Sequence, residues 1–174
     1  MKWSVCVLIK SSYNLIIWRK SKGLLNKMPR INWSQGFKEL EFWDAVKGGS
    51  WIKACIESEA YVLDKLQFEL VSDRDLLEKN RFYLEHDYFT DIITFDYSKK
   101  TRVSGEIWIS RDRVLENAIL NKVSVQLEFM RVCVHGVLHL CGYKDKSEEE
   151  QEEMRRKENE KIKLGSTWFH VEHL

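Results

Sequence analysis

The stretch Val134-His135-Gly136-Val137-Leu138-His139-Leu140-Cys141-Gly142-Tyr143-Lys144-Asp145 organises the rest of this chain. Residues four apart share a face of an α-helix, so the imidazoles of His135 and His139 can address one atom. Gly142, three residues after the second histidine, suits the left-handed position that ends a helix and turns the chain back. That turn can carry Asp145 to the same point. Two histidines and one oxygen donor, with a fourth position left to water, make a catalytic zinc arrangement. The spacing therefore predicts a metal helix closed by a glycine turn, with His135, His139 and Asp145 as ligands and Zn2+ as the ion.

Outward from this centre, Ser124 is a helix N-cap, and Leu127, Met130, Val134, Val137, Leu138 and Cys141 form a core stripe at helical spacing. Arg131, one turn before His135, falls on the histidine face. Downstream, Ser147-Glu148-Glu149-Glu150 is a capping box opening a charged helix to about Ile162. Upstream, the β-branched and aromatic run Asp91–Tyr97 and the run Gly105–Ser110 read as two strands joined by a turn at residues 99–101, and hence as antiparallel neighbours. Ser110 caps a helix to about Leu120. Ser72 caps another to about Tyr83, with Leu76, Leu77 and Tyr83 on its buried side. Leu66–Val71 alternates as a strand. Ser50 is expected to cap a helix over residues 51–60, and residues 39–48 read as a connector ending at Gly48-Gly49. Helices and strands in this order give an α+β fold, one sheet with helices packed on it.

The 174 residues suit one domain. The four cysteines lack C-x-x-C spacing and read as reduced thiols, which points to the cytoplasm. Residues 1–38 hold eight lysines and arginines and no acid, a charge of +8 that leaves −7 on the remainder of a chain whose total is +1. This basic extension could serve RNA or an anionic surface; the acidic body alone gives no electrostatic argument for nucleic acid. A start at Met28 would make residues 1–27 upstream sequence. The apolar run Trp3–Ile9 is too short to span a membrane, and no membrane association is expected. The tail over 165–174, with Trp168, Phe169, His170 and His173, reads as a flexible end.

A zinc peptidase helix reads H-E-x-x-H, with the glutamate as general base. Gly136 occupies that position and cannot take a proton, which argues against peptide hydrolysis. Asp145 also has a plainer reading, as a turn residue or as a cap for the helix after Ser147.

The segment His135-Gly-Val-Leu-His139-Leu-Cys-Gly142-Tyr143 resembles the H-G-x-L-H-L-x-G-Y-D-H signature of the YbeY endoribonuclease family of bacterial ribosomal RNA maturation factors. Asp87-x-x-Thr90-Asp91-Ile92-Ile93-Thr94-Phe95 is similar to that family's D-x-x-T-D-V-L-S-F, and Gly105-Glu106-Ile107-Trp108-Ile109-Ser110 to its G-D-I-x-I-S. The resemblance implies a domain over residues 39–164 with a mostly parallel sheet that includes an antiparallel strand. It also implies a zinc-dependent endoribonuclease specific for single strands. Its implied role is 3′-end maturation of 16S ribosomal RNA and ribosome quality control, with precursor RNA, the small subunit and assembly factors as partners.

Two departures stand out. Asp145 replaces the family's usual third histidine, with Lys144 before it, which adds negative charge and alters metal preference. Leu84 stands where the family has an arginine, so contact with phosphate would fall to Arg81, His86 or Arg131. Arg131 is the candidate catalytic residue, offsetting charge that develops on phosphorus. Trp108 and Tyr143 are candidates for stacking on unpaired bases. A rival reading is an assembly module with a structural metal, which would need a fourth ligand such as Cys141 or His86.

Overall fold

A computed structural model describes residues 6–10 and 30–169. Along them run β1 (Cys6–Lys10), β2 (Ile31–Trp33), α1 (Gln35–Lys38), α2 (Ala45–Ser58), β3 (Val62–Val71), α3 (Asp73–Leu84), β4 (Ile92–Asp96), β5 (Arg102–Ser110), α4 (Arg111–Asn121), α5 (Val125–Leu140) and α6 (Glu148–Phe169). The strands form one sheet in the order β1-β4-β5-β3-β2. Every neighbouring pair is parallel except β4 with β5, which are antiparallel as the short turn between them requires. The architecture is the expected α+β fold with a mixed, mostly parallel sheet.

Strand alternation divides the core between two faces. Val103, Ile107 and Ile109 of β5 join Leu66 and Phe68 of β3 in the main core, under Trp51 and Ile52 of α2, Val134 and Val137 of α5, and Met154 of α6. Ile93 and Phe95 of β4 point the other way, to Leu76 of α3, with Trp108 against them. Gly136 explains how closely α5 lies on the sheet. A Cβ there would stand 2.8 Å from Ile92 Cδ1, 3.0 Å from Ile107 Cγ2 and 3.1 Å from Thr94 Oγ1. The position that carries a general base in zinc peptidases thus faces the sheet and has no room for a side chain.

Four of the five serine caps that the sequence predicts are formed. The hydroxyls of Ser72, Ser110 and Ser124 accept from the N–H groups of Asp75, Arg113 and Leu127. The box at Ser147 is reciprocal, with Glu150 N–H on the serine hydroxyl at 3.2 Å and Ser147 N–H on the glutamate at 3.1 Å.

Several expectations need correction. Residues 39–48 are not a connector throughout, because α2 begins at Ala45, where Asp44 Oδ1 accepts from Val46 and Lys47 N–H at 2.8 and 3.0 Å. Ser50 lies inside the helix and donates to the Val46 carbonyl. Gly48 ends nothing; Trp43 fills the space of its missing side chain, with ring carbon Cζ2 2.4 Å from a Cβ built there. Tyr83 is exposed and Leu77 half-buried. The inward place is taken by Asn80, whose amide donates to the Tyr88 carbonyl at 2.7 Å.

Residues 6–10, 31–33 and 35–38, which the charge pattern assigns to an N-terminal extension, form β1, β2 and α1, and Phe37 is buried in the main core. Their short apolar runs carry too little periodicity to announce a strand. At the other end α6 continues past residue 164 through Trp168 and Phe169, because Phe169 is buried and stacks on Trp43 with centroids 5.1 Å apart. His170 and His173 lie outside the described residues. Among the described residues no helix is long and apolar enough to cross a membrane.

Candidate metal centre

Helix α5 ends in a Schellman motif. Gly142 has φ +97°, its N–H bonds the His139 carbonyl at 2.9 Å, and Tyr143 N–H reaches the Leu138 carbonyl at 3.1 Å. The reversal brings Asp145 back over the last two turns of the helix. Gln151 Nε2 then holds the Asp145 carbonyl at 3.0 Å. Helix capping is left to Ser147 and Glu150, so the Asp145 carboxylate is available to the histidines.

His135 Nε2 and His139 Nε2 are 3.1 Å apart, and Asp145 Oδ2 lies 3.7 and 3.6 Å from them. Donors around a tetrahedral zinc ion, at bonds of about 2.0–2.1 Å, are about 3.4 Å from one another. Among the described residues, these three form the group of side chains that could hold a metal ion. Neither Cys141 nor His86 belongs to it. Burial raises the Cys141 thiol to about 12, with the Glu59 charge adding to the effect. His86 bonds and stacks on Tyr88.

Hydrogen bonds at the far side of each ring define the tautomers. His135 Nδ1 is 2.7 Å from Glu158 Oε1, and His139 Nδ1 is 2.9 Å from the Tyr143 carbonyl. A carboxylate and a carbonyl accept, so each Nδ1 carries the proton and each Nε2 presents a lone pair. Two lone pairs and a carboxylate oxygen then converge on one point. That arrangement repels itself unless a cation sits at its centre, and a divalent metal fits the donor set. Both histidines are buried, so water offers them little compensation.

Two supports behind the histidine pair come from distant parts of the chain. The first is Glu158 of α6, which receives His135 on one oxygen and Arg131 Nη1 on the other at 3.1 Å; Arg131 Nη1 also reaches Asn159. Partners of this kind fix the tautomer and ring orientation of ligating histidines. The second is Glu59 at the end of α2. Its carboxylate accepts from the Tyr143 hydroxyl at 2.5 Å and from Lys157 at 2.9 Å, and it pairs with the fully buried Lys161. Tyr143 therefore links this buried ion cluster to His139. One signal was readable: Glu158 and Lys161 share the buried stripe of α6 with Met154, Ile162 and Gly165, an unusual place for charge.

Burial works to raise the Glu59 pKa, but the hydrogen bonds from Lys161, Tyr143 and Lys157 prevail and bring it down to about 2. An unfolded glutamate titrates near 4.3. The stabilisation from this cluster is therefore complete above about pH 4.3 and is lost as pH falls from there through about 2. Glu59→Gln is expected to lower stability at pH 7 and to flatten the loss across that window. Denaturant unfolding at stepped pH measures it, and a variant curve parallel to wild type would refute the assignment.

The remaining candidates lie elsewhere. Arg81 pairs with Asp87 at 2.6 Å. Trp108 is half-buried on the opposite sheet face, with the Lys79 ammonium 4.7 Å from its ring. Tyr143 is half-buried in the Glu59 cluster, with the Lys157 ammonium 5.4 Å from its ring.

The chain is similar to known proteins over most of its length. The sequence profile of the family described as Endoribonuclease YbeY matches residues 41–164. The Endoribonuclease YbeY of Christiangramia forsetii is 47% identical over 123 residues, covering 71% of this chain and 83% of that protein. That of Flavobacterium psychrophilum is 47% identical over 122 residues, covering 70% and 84%. The solution structure of TM1509 from Thermotoga maritima is similar with a TM-score of 0.58 at 27% identity, over 80% of this chain and 90% of that one.

Proposed function

Because the chain belongs to the YbeY endoribonuclease family, we propose that it hydrolyses phosphodiester bonds of single-stranded RNA at a zinc centre held by His135, His139 and Asp145. In this reading it works in 3′-end maturation of 16S ribosomal RNA and in ribosome quality control, on precursor RNA in the cytoplasm, alongside the small subunit and its assembly factors.

The observation that carries the proposal is the convergence of two Nε2 lone pairs and a carboxylate oxygen, with both Nδ1 protons already committed to acceptors. The chemistry zinc supplies when bound is Lewis acidity, which lowers the pKa of a water toward neutrality and polarises a phosphoryl oxygen. Three protein donors suit a catalytic rather than a structural site, since structural zinc is normally closed by four.

The protein's own groups do the rest. Glu158 and the Tyr143 carbonyl keep the imidazoles in the tautomer that aims Nε2 inward. Arg131 neutralises Glu158, and its guanidinium has N–H groups beyond those used on Glu158 and Asn159 with which to offset charge developing on the scissile phosphate. Gly136, packed on the sheet, supplies no peptidase base.

Cleavage of one labelled oligoribonucleotide, alone and annealed to its complement, with a peptide substrate in parallel, tests the reading. Cutting confined to the single strand is expected. Cleavage of the duplex at the same rate, or of the peptide alone, would overturn it.

A further inference from the structure

Away from the metal centre, β2 and the first half of α2 enclose a groove of about 870 Å3. Trp33, half-buried, gives it an aromatic wall backed by the buried Phe37 and Trp43, and the charged residues lining it, among those described, are Arg30, Lys38 and Lys53, with no acid. Asp44 stands beside the groove, but its carboxylate is turned to the N–H groups that open α2. Arg30 spends one N–H on the Leu63 carbonyl, and Lys53 pairs with the exposed Glu57.

A complementary ligand is therefore anionic and carries flat apolar surface. Val46 adds apolar surface to the lining, 80% exposed.

We propose that this groove is a second contact for single-stranded RNA, taking a base against the aromatic wall while phosphates lie on Lys38 and Lys53; it rests on the RNA reading above. Single-strand binders combine cationic grooves with aromatic side chains in this way, and a paired base could not enter. The groove is within reach of the metal centre. From Ser50 to Glu59, α2 rises about 14 Å, and Glu59 holds Tyr143, whose carbonyl holds His139. An RNA strand engaged at both places has unpaired nucleotides to one side of its cleavage point.

The test uses the full chain loaded with zinc and a fluorescein-labelled oligoribonucleotide, read by anisotropy across a salt series. The Lys38→Gln/Lys53→Gln variant is expected to bind about tenfold more weakly at low salt, with a log–log salt slope shallower by about 1.4, from about 0.7 for each lost phosphate contact. Its zinc affinity should equal that of wild type. A 4-thiouridine oligonucleotide should crosslink to the peptides carrying Trp33 or Trp43. Wild-type affinity and slope in the variant, with crosslinks only around residues 131–145, overturn the groove and leave the nuclease reading standing. Failure of the wild-type protein to bind or cut RNA at all overturns both.

Discussion

Replacing His139 with alanine is expected to cost the protein its metal and its RNA cleavage while leaving the fold in place. His139 is buried on α5, but its neighbours Val137, Leu138 and Leu140, not the imidazole, make the contacts of the core. Its ring serves the centre, with Nε2 3.1 Å from that of His135 and Nδ1 fixed by the Tyr143 carbonyl. Loss of a partner behind a ligand typically costs 10–100-fold in metal affinity. Loss of the ligand itself should exceed that, so zinc affinity is expected to fall by more than about a hundredfold. Competition with a chromophoric chelator measures the affinity, and circular dichroism checks the fold. The stability that zinc confers on wild type should vanish in the variant, since a ligand bound only to the folded state stabilises it by mass action. A variant that binds zinc like wild type would remove His139 from the centre.

The second large effect is expected from Glu158→Ala. This carboxylate accepts from His135 on one oxygen and from Arg131 on the other. Its removal strands the His135 Nδ1 proton without its acceptor and frees the ring to present the wrong tautomer. It also leaves the Arg131 guanidinium facing Glu128 at 4.0 Å and Asn159 alone. Breaking a buried pair by deleting one partner costs about 3–5 kcal/mol; Arg131 is 27% exposed, which places the expected loss near the lower figure, about 3 kcal/mol. Zinc affinity should fall by about 10–100-fold. Glu158→Gln is expected to lie between, because its amide can present an oxygen to His135 but carries no charge to balance Arg131. Chelator competition together with urea unfolding separates the two effects. Unchanged zinc affinity in Glu158→Ala would mean that His135 is oriented by something else.

These two side chains mark what the sequence makes legible and what it hides. His139 is visible because a helix writes its face at a fixed spacing, and the Gly142 turn follows within three residues. The β4–β5 pair and the serine caps are legible for the same reason: each is a local pattern. Glu158 and Glu59 act across 23 and 84 residues, on His135 and on Tyr143, and nothing nearby in the sequence announces either contact. The order of the strands, with β2 at one edge, is non-local too. Where local signals compete, packing decides. Asp44 outranks Ser50 as the cap because Trp43 must sit against Gly48, and Asn80 rather than Tyr83 turns inward because it can hold the Tyr88 carbonyl. Gly136 is the instructive middle case. Its lack of a general base is plain in the sequence, but its closeness to Ile92 and Ile107 appears only once α5 is laid on the sheet.

The most direct test of the account is a zinc titration of protein stripped with a chelator, with cleavage of a single-stranded oligoribonucleotide followed on the same samples. The account predicts that activity is absent in the stripped protein, rises in proportion to added zinc and reaches its plateau at one ion per chain. It also predicts that His139→Ala shows no such rise. Full cleavage by the stripped protein, or a plateau reached equally by His139→Ala, would contradict it.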